Sequence, residues 1–246
     1  MTSLAVRRRV LPLWIVAVAA LLAALMVAVA PGDRAAAGTA TPPAAVTVAG
    51  MSEAMSGMEH GPAEVLSTKA VVFHDQMRKL WEDHVTWTRL AIVTFADGSA
   101  GFDATAARLL RNQQDIGNAV KPFYGKTAGR QLTALLRDHI TIAVEVLQAA
   151  KAGDTAAFDE ANERWYRNAR QIADFLHAAN PAHWPRHMMR VDMRVHLDQT
   201  LTEAADELGG SYAASVKDYE AVHHHILEMA DMLSAGIMAQ FPGRFR

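Results

Sequence analysis

The chain of 246 residues contains no cysteine. This absence excludes disulfide bonds, thiolate metal sites, thiol catalysis and a cysteine-linked lipid anchor. Any bound metal ion must therefore be held by His, Asp, Glu, Asn or Met side chains. The formal net charge is only −2 at pH 7, so the chain also lacks the basic excess that would indicate a nucleic-acid partner.

The sequence motifs of several common enzyme classes are missing as well. The chain has no glycine-rich phosphate-binding loop, no G-x-S-x-G nucleophile elbow and no H-E-x-x-H zinc motif. A pair of Glu-x-x-His helices, which is typical of di-iron bundles, is also absent. The sequence therefore favours a protein that is not an enzyme. An enzyme that uses histidines as acid–base groups remains the least favoured alternative.

Residues 1–37 have the features of an export segment. Three arginines at positions 7–9 precede an apolar run from Val10 to Ala30, and small residues follow the Pro31-Gly32 break. This order is typical of a cleaved signal peptide, although a run of about 21 residues is also long enough to remain as a membrane anchor. In both cases the rest of the chain is expected outside the cytoplasm, either secreted or held at the outer face of the membrane.

Residues 38–64 are rich in Ala, Thr, Pro and Met and predict a disordered linker. The linker contains a motif of three methionines and one histidine. Thioether and imidazole groups together suit copper, Cu(I) in particular. The role of this motif stays open, because a flexible linker can also contain methionine without binding a metal. The motif consists of Met51, Met55, Met58 and His60.

Residues 65–246 predict one all-α domain. Apolar residues recur at helical spacing, strand patterns are nearly absent, and Gly and Pro residues separate the periodic segments. The spacing predicts six helices near residues 65–95, 102–120, 127–151, 155–178, 183–208 and 212–240.

An internal repeat of about 56 residues runs through this domain. Three histidines recur at intervals of 55 and 57 residues, and a second polar position recurs at intervals of 56 and 57. Such a repeat predicts a six-helix bundle made of three related antiparallel helical hairpins. The two sets are His84, His139 and His196, and Asn112, Asn168 and His225.

The repeat predicts a single polar layer across the bundle. In each predicted hairpin the two repeated positions are equally far from the turn, so their side chains should lie level on antiparallel helices. Neutral imidazole is a common ligand of Zn and Cu. We therefore predict a transition-metal site, for Cu or Zn first. Its ligands would be His84, His139, His196 and His225, with Asn112 and Asn168 orienting them from behind.

The same layer also has a structural interpretation. His84 with Asn112, and His139 with Asn168, could form closed hydrogen-bonded pairs that specify helix register. The protein would then be a binding or scaffold module of the cell envelope with partners that the sequence does not identify. The histidines can share one metal or small ligand only if the hairpins close around a common axis, because stacked neighbours lie on the order of 10 Å apart.

Four segments carry a resemblance to a known family. They are LWEDHVTWTR (80–89), RNQQDIGNAVKPFYG (111–125), LLRDHI (135–140) and ADMLSAGIMAQFP (230–242). They resemble a family of secreted, all-helical bacterial proteins that are often labelled glycosyltransferase. The resemblance covers essentially the whole chain after residue 65 and implies export and a helical fold. The label does not fit, because a sugar-nucleotide enzyme is expected to have an α/β fold with carboxylates at strand ends.

Overall fold

A computed structural model describes residues 67–246, and within this range it contains helices and no strand. The all-α prediction is therefore confirmed. The predicted export segment 1–37, the linker 38–64 and its methionine motif lie outside the described residues. The helices are α1 (Thr68–Ala96), α2 (Phe102–Ala152), α3 (Thr155–Ala179), α4 (Arg186–Leu208) and α5 (Tyr212–Gln240), followed by a 3-10 turn at Pro242–Arg244.

The predicted helices 102–120 and 127–151 are both helical in the structure and are joined as one element, α2, with a non-helical residue between them. The backbone leaves helical geometry inside α2 at Gly125, where φ is 84° and ψ is 167°. Glycine adopts this positive φ without a steric penalty. A Cβ added to Gly117 would lie 2.6 Å from the carbonyl oxygen of Gly129. Twelve residues of straight helix would separate these two glycines by about 18 Å, so α2 folds back on itself at Gly125.

The turn between α2 and α3 shows how the sequence ends one helix and starts the next. Gly153 follows α2 with a φ of 69°, and its N–H bonds to the carbonyls of the last helical turn. The Asp154 carboxylate then accepts a hydrogen bond of 3.1 Å from the Ala157 N–H at the start of α3. These are the usual C-terminal glycine and N-terminal aspartate of neighbouring helices, and the turn lies where the sequence predicts it.

The helices form a closed arrangement. Each packs against the next along the chain, and α1 also packs against α5 and α4. Closure brings the buried faces of all five helices around one continuous apolar core. None of the helices described here is both long enough and apolar enough to cross a membrane.

Ion pairs fasten neighbouring helices near one end of the closed arrangement. Arg78 on α1 contacts both carboxylate oxygens of Asp231 on α5, at 2.7 and 2.6 Å. Arg190 on α4 donates to Asp174 on α3 through two nitrogens, from Nε to Oδ1 at 2.9 Å and from Nη2 to Oδ2 at 2.7 Å. Spacing along the chain predicts instead that Arg78 pairs with Asn118 and that Arg190 pairs with Asp231, because each pair is level in its hairpin. Those pairings are wrong, because helix packing brings each arginine to the carboxylate of a different neighbour.

Candidate functional site

Three of the four predicted metal ligands come together in the interior. His84 lies on α1, His139 on α2 and His196 on α4, and their exposed fractions are 3, 3 and 4%. The ring centroids of His84 and His196 are 5.7 Å apart, and those of His139 and His196 are 6.4 Å apart. These three side chains are called the histidine cluster below. They meet because the helices close around a common axis.

A small cavity of about 40 Å³ borders the histidine cluster. Thr88 and Thr200 also line it, but their hydroxyls donate to the carbonyls of His84 and His196 at 2.7 and 2.8 Å. Trp165 lies beside His139, with ring centroids 5.2 Å apart. Most of the remaining wall is aliphatic, so the imidazoles face apolar surroundings. It includes Ala91, Ile92, Leu109, Ala143, Val144 and Leu147.

Asn168 fixes the proton position of His139. The amide nitrogen of Asn168 donates to the Leu135 carbonyl at 3.0 Å, which leaves its Oδ1 to face His139 Nδ1 at 2.8 Å. An amide oxygen only accepts, so His139 carries its proton on Nδ1. The other ring nitrogen, Nε2, then keeps a free lone pair. The predicted contact between His139 and Asn168 is present.

His84 has a different partner from the predicted one. Gln113, not Asn112, lies beside its ring, with Gln113 Nε2 3.2 Å from His84 Nδ1. Asn112 instead donates from Nδ2 to the Leu80 carbonyl at 2.9 Å. The predicted His84–Asn112 pair is therefore wrong, because one step along the helix rotates a side chain by about 100°. Gln113 Oε1 is buried and has no hydrogen-bond partner.

His225 does not join the cluster. Its Nε2 lies 3.1 Å from the backbone carbonyl of Asp192, and its side chain is only partly buried. The predicted fourth ligand therefore bonds to the backbone of α4 and does not line the cavity beside His196. His196 Nδ1 is buried without a hydrogen-bond partner, so this imidazole is the least satisfied member of the cluster.

The second set of repeated residues bonds to the backbone of neighbouring helices in one recurring pattern. Each of the three side chains contacts the carbonyl that lies four residues before a cluster histidine. The distances are 2.9 Å for Asn112 to Leu80, 3.0 Å for Asn168 to Leu135 and 3.1 Å for His225 to Asp192. These contacts fix the level at which each cluster histidine stands.

Burial keeps the histidine cluster neutral. Loss of water and, to a smaller extent, the nearby His139 lower the pKa of His84 to about 3, against the raising effect of Gln113. Burial likewise lowers the pKa of His139 to about 4, against the raising effect of Asn168. The pKa of His196 is held well below its usual value by burial first and then by the other histidines. All three rings therefore carry lone pairs at neutral pH, which is the protonation state that metal binding requires.

Sequence reasoning missed a buried charged group next to this site. Arg89 contacts Glu203 at 3.2 Å and Glu207 at 2.9 Å, and it also donates to the Ser215 hydroxyl. One guanidinium thus faces two carboxylates, and burial raises the pKa of Glu203 to about 7. The spacing of His196, Glu203 and Glu207 at i, i+7 and i+11 places them on one helical face, and that was the available signal.

The distances are wider than those of an assembled metal centre. Within residues 67–246 no group of three or more His, Cys, Asp or Glu side chains is already arranged to hold a metal ion. The chain matches no protein-family model, no curated protein and no solved structure.

Proposed function

We propose that the protein is an exported, extracytoplasmic metal-binding protein whose site is the histidine cluster. The observation that carries this proposal is the meeting of His84, His139 and His196, three buried and neutral imidazoles, beside one cavity. We further propose that the domain consists of three related hairpins, as the repeat of about 56 residues predicts. The recurring contacts of Asn112, Asn168 and His225 to neighbouring backbones support that repeat.

The separations of the rings are close to those of a three-histidine metal site. With metal–nitrogen bonds of about 2.0–2.1 Å and tetrahedral angles, imidazole centroids around one ion stand about 5 Å apart. The observed distances are 5.7 and 6.4 Å. For these two pairs, shifts of about 1 Å per ring would close the gap, and side-chain rotation can supply shifts of that size without moving a helix.

Two amides would serve as orienting groups behind the ligands. Asn168 already holds the proton of His139 on Nδ1, so Nε2 of that ring is free to bind a metal. His84 presently accepts from the Gln113 amide at Nδ1, which places its proton on Nε2. Rotation of the Gln113 amide would turn its unpartnered Oε1 to Nδ1 and free His84 Nε2, at the cost of the hydrogen bonds from Gln113 to the Leu109 carbonyl and to Asn112 Oδ1. Second-shell acceptors of this kind commonly set the tautomer of metal-binding histidines.

The second candidate function is an envelope binding or scaffold module in which the polar layer is structural. The contacts of Asn112, Asn168 and His225 to neighbouring backbones favour it, because they fix helix register without any metal. In that case the cluster is a set of packed, neutral imidazoles with no ligand.

Elemental analysis of the full chain tests the choice between these functions. The protein should be purified without a nickel column, because His223 and His224 on the surface would retain that metal. We expect about one equivalent of copper or zinc in the wild-type chain and none at the cluster in His196→Gln. This substitution removes no hydrogen bond at Nδ1, so the fold should persist, as circular dichroism would verify.

His224→Ala is the matched control, since its side chain is 77% exposed and lies away from the cluster. It should leave the metal content unchanged. Absence of metal from the wild-type chain after incubation with Cu and Zn, at unchanged helicity, would reject the metal site and favour the structural layer.

A further inference from the structure

The metal site proposed above contains no negative charge. Every ligand is a neutral imidazole, and no aspartate or glutamate lines the cavity beside it. On α4, the buried carboxylate that is nearest in sequence to His196 belongs to Glu203, one turn beyond Thr200. It is already paired with Arg89 of α1. The full charge of a bound ion would therefore remain uncompensated in apolar surroundings.

Charge then decides which ion the site accepts most readily. The cost of burying an ion in a medium of low polarity grows with the square of its charge, so a divalent ion is penalised about four times as strongly as a monovalent one. Zinc is bound in proteins as Zn²⁺, whereas copper is also available as Cu(I). Imidazole nitrogen is an accepted ligand of copper.

The cavity limits what reaches the open coordination position of that ion. Its volume of about 40 Å³ is far below the roughly 150 Å³ that accommodates benzene in an engineered protein cavity. Thr88 and Thr200 turn their hydroxyls to their own helices, which leaves an aliphatic wall. The aliphatic part of the wall offers an anion no hydrogen-bond donor, whereas a diatomic molecule without charge loses little on entering it.

Resting on the proposed function, we propose that the histidine cluster holds Cu(I) in preference to Zn²⁺ and admits a small uncharged molecule of diatomic size to its fourth coordination position. His84, His139 and His196 supply three ligands. The aliphatic cavity supplies the space for the fourth. Trp165, whose ring packs against His139, forms one side of the cavity wall.

The first experiment compares the two ions on the full chain. The background variant carries Met51→Ala, Met55→Ala and Met58→Ala, so that thioethers of the linker do not retain copper. The metal-free protein is dialysed against buffered Cu(I) under nitrogen, against Zn²⁺, and against both together. We expect about one equivalent of copper, at least tenfold more copper than zinc under competition, and loss of that copper in His196→Gln.

The outcomes separate the inference from the function on which it rests. Retention of zinc with little copper would overturn the Cu(I) preference while leaving a metal site. Retention of neither metal would reject the metal site itself, and the ion preference with it.

The second experiment uses carbon monoxide as the uncharged probe. Addition of carbon monoxide to the Cu(I)-loaded chain should give one C–O stretching band in the infrared spectrum, with about one equivalent bound. A leucine side chain in place of Ala143 would fill the cavity, so Ala143→Leu should abolish the band while copper is retained. Ala134→Leu, an exposed site on the same helix, should leave the band unchanged. A loaded chain without the band, or a band unaffected by Ala143→Leu, would overturn the assignment of the cavity as the ligand space.

Discussion

Asn168 Oδ1 lies 2.8 Å from His139 Nδ1, while the same amide donates to the Leu135 carbonyl at 3.0 Å. One buried side chain thus joins two helices and decides which nitrogen of an imidazole carries the proton. A structural role and an orienting role coincide in this residue.

Substitution of Asn168 by leucine should destabilise the protein by roughly 2–4 kcal/mol, because the His139 N–H and the Leu135 carbonyl both lose a buried partner. Urea unfolding of the metal-free chain measures the change. Asn118→Leu is the control, since Asn118 is exposed and contacts only Lys121 through its side chain. Equal stability of the two variants would show that the Asn168 contacts contribute nothing.

Substitution of Gln113 by glutamate should strengthen metal binding. A carboxylate accepts from His84 Nδ1 more strongly than an amide does and therefore frees Nε2 for the metal. We expect the metal-free variant to melt below wild type, because the new carboxylate faces the Leu109 carbonyl and the Asn112 amide oxygen. The rise in Tm on adding one equivalent of metal should exceed that of wild type. If metal restores nothing in this variant, His84 is not a ligand.

Acid should unfold the metal-free protein through the histidine cluster. The folded pKa values of His84 and His139, about 3 and 4, lie below the unfolded value of 6.5. Their contribution to stability is therefore fully present above pH 6.5 and is lost as the pH falls toward those folded values. By pH 4.5 each should have lost roughly 2–3 kcal/mol. Urea titrations between pH 7 and 4.5 measure the slope, and His84→Gln should reduce it.

Ionisation of Glu203 should destabilise the protein as the pH rises, whereas the histidine cluster destabilises it as the pH falls. The folded pKa of Glu203, about 7, lies above the usual 4.5, so its contribution to stability is present below pH 4.5 and is lost as the pH rises through 7. Glu203→Gln keeps a neutral partner for Arg89. Between pH 4.5 and 8 the free energy of unfolding of this variant should therefore rise by about 3 kcal/mol relative to that of wild type. Glu163→Gln, on the surface, should run parallel to wild type. A constant difference between Glu203→Gln and wild type at all pH values would refute the raised pKa.

Substitution of Gly236 by alanine should cost about 3 kcal/mol or more. The added Cβ would lie 2.2 Å from Nε1 of Trp184, whose ring is 1% exposed and packed in the core. Gly243→Ala is the matched control, because its Cβ would meet nothing within 4 Å. Thermal unfolding of both variants measures the difference. Similar Tm values would mean that the Trp184 ring moves aside readily.

Periodicity predicted the helices because 3.6-residue spacing and turn glycines are properties of short segments. Gly153 with Asp154 illustrates this, since a C-terminal glycine and an N-terminal aspartate act within one turn of chain. The sequence predicts a break between two helices near Gly125, and the backbone leaves helical geometry at that residue. The close approach of Gly117 and Gly129 after this break is not revealed by any short segment.

The candidate site was predictable in its repeated residues and not in its partners. Equal spacing placed His84, His139 and His196 at one level, and the structure brings these three together. Spacing along the chain does not specify the rotation of one helix against another. For that reason the residue beside His84 is Gln113 and not the predicted Asn112.

The sequence by itself determined the all-α fold class, the main turn positions and the recurrence of the polar residues, because these follow from local backbone preference and from repetition. Tertiary structure alone decided that α1 closes against α5, that the cluster has three histidines and not four, and that Arg89 meets Glu203. Each of these depends on packing between residues distant in the chain. Burial, the physical quantity that sets the protonation of His84 and Glu203, exists only once the helices have closed.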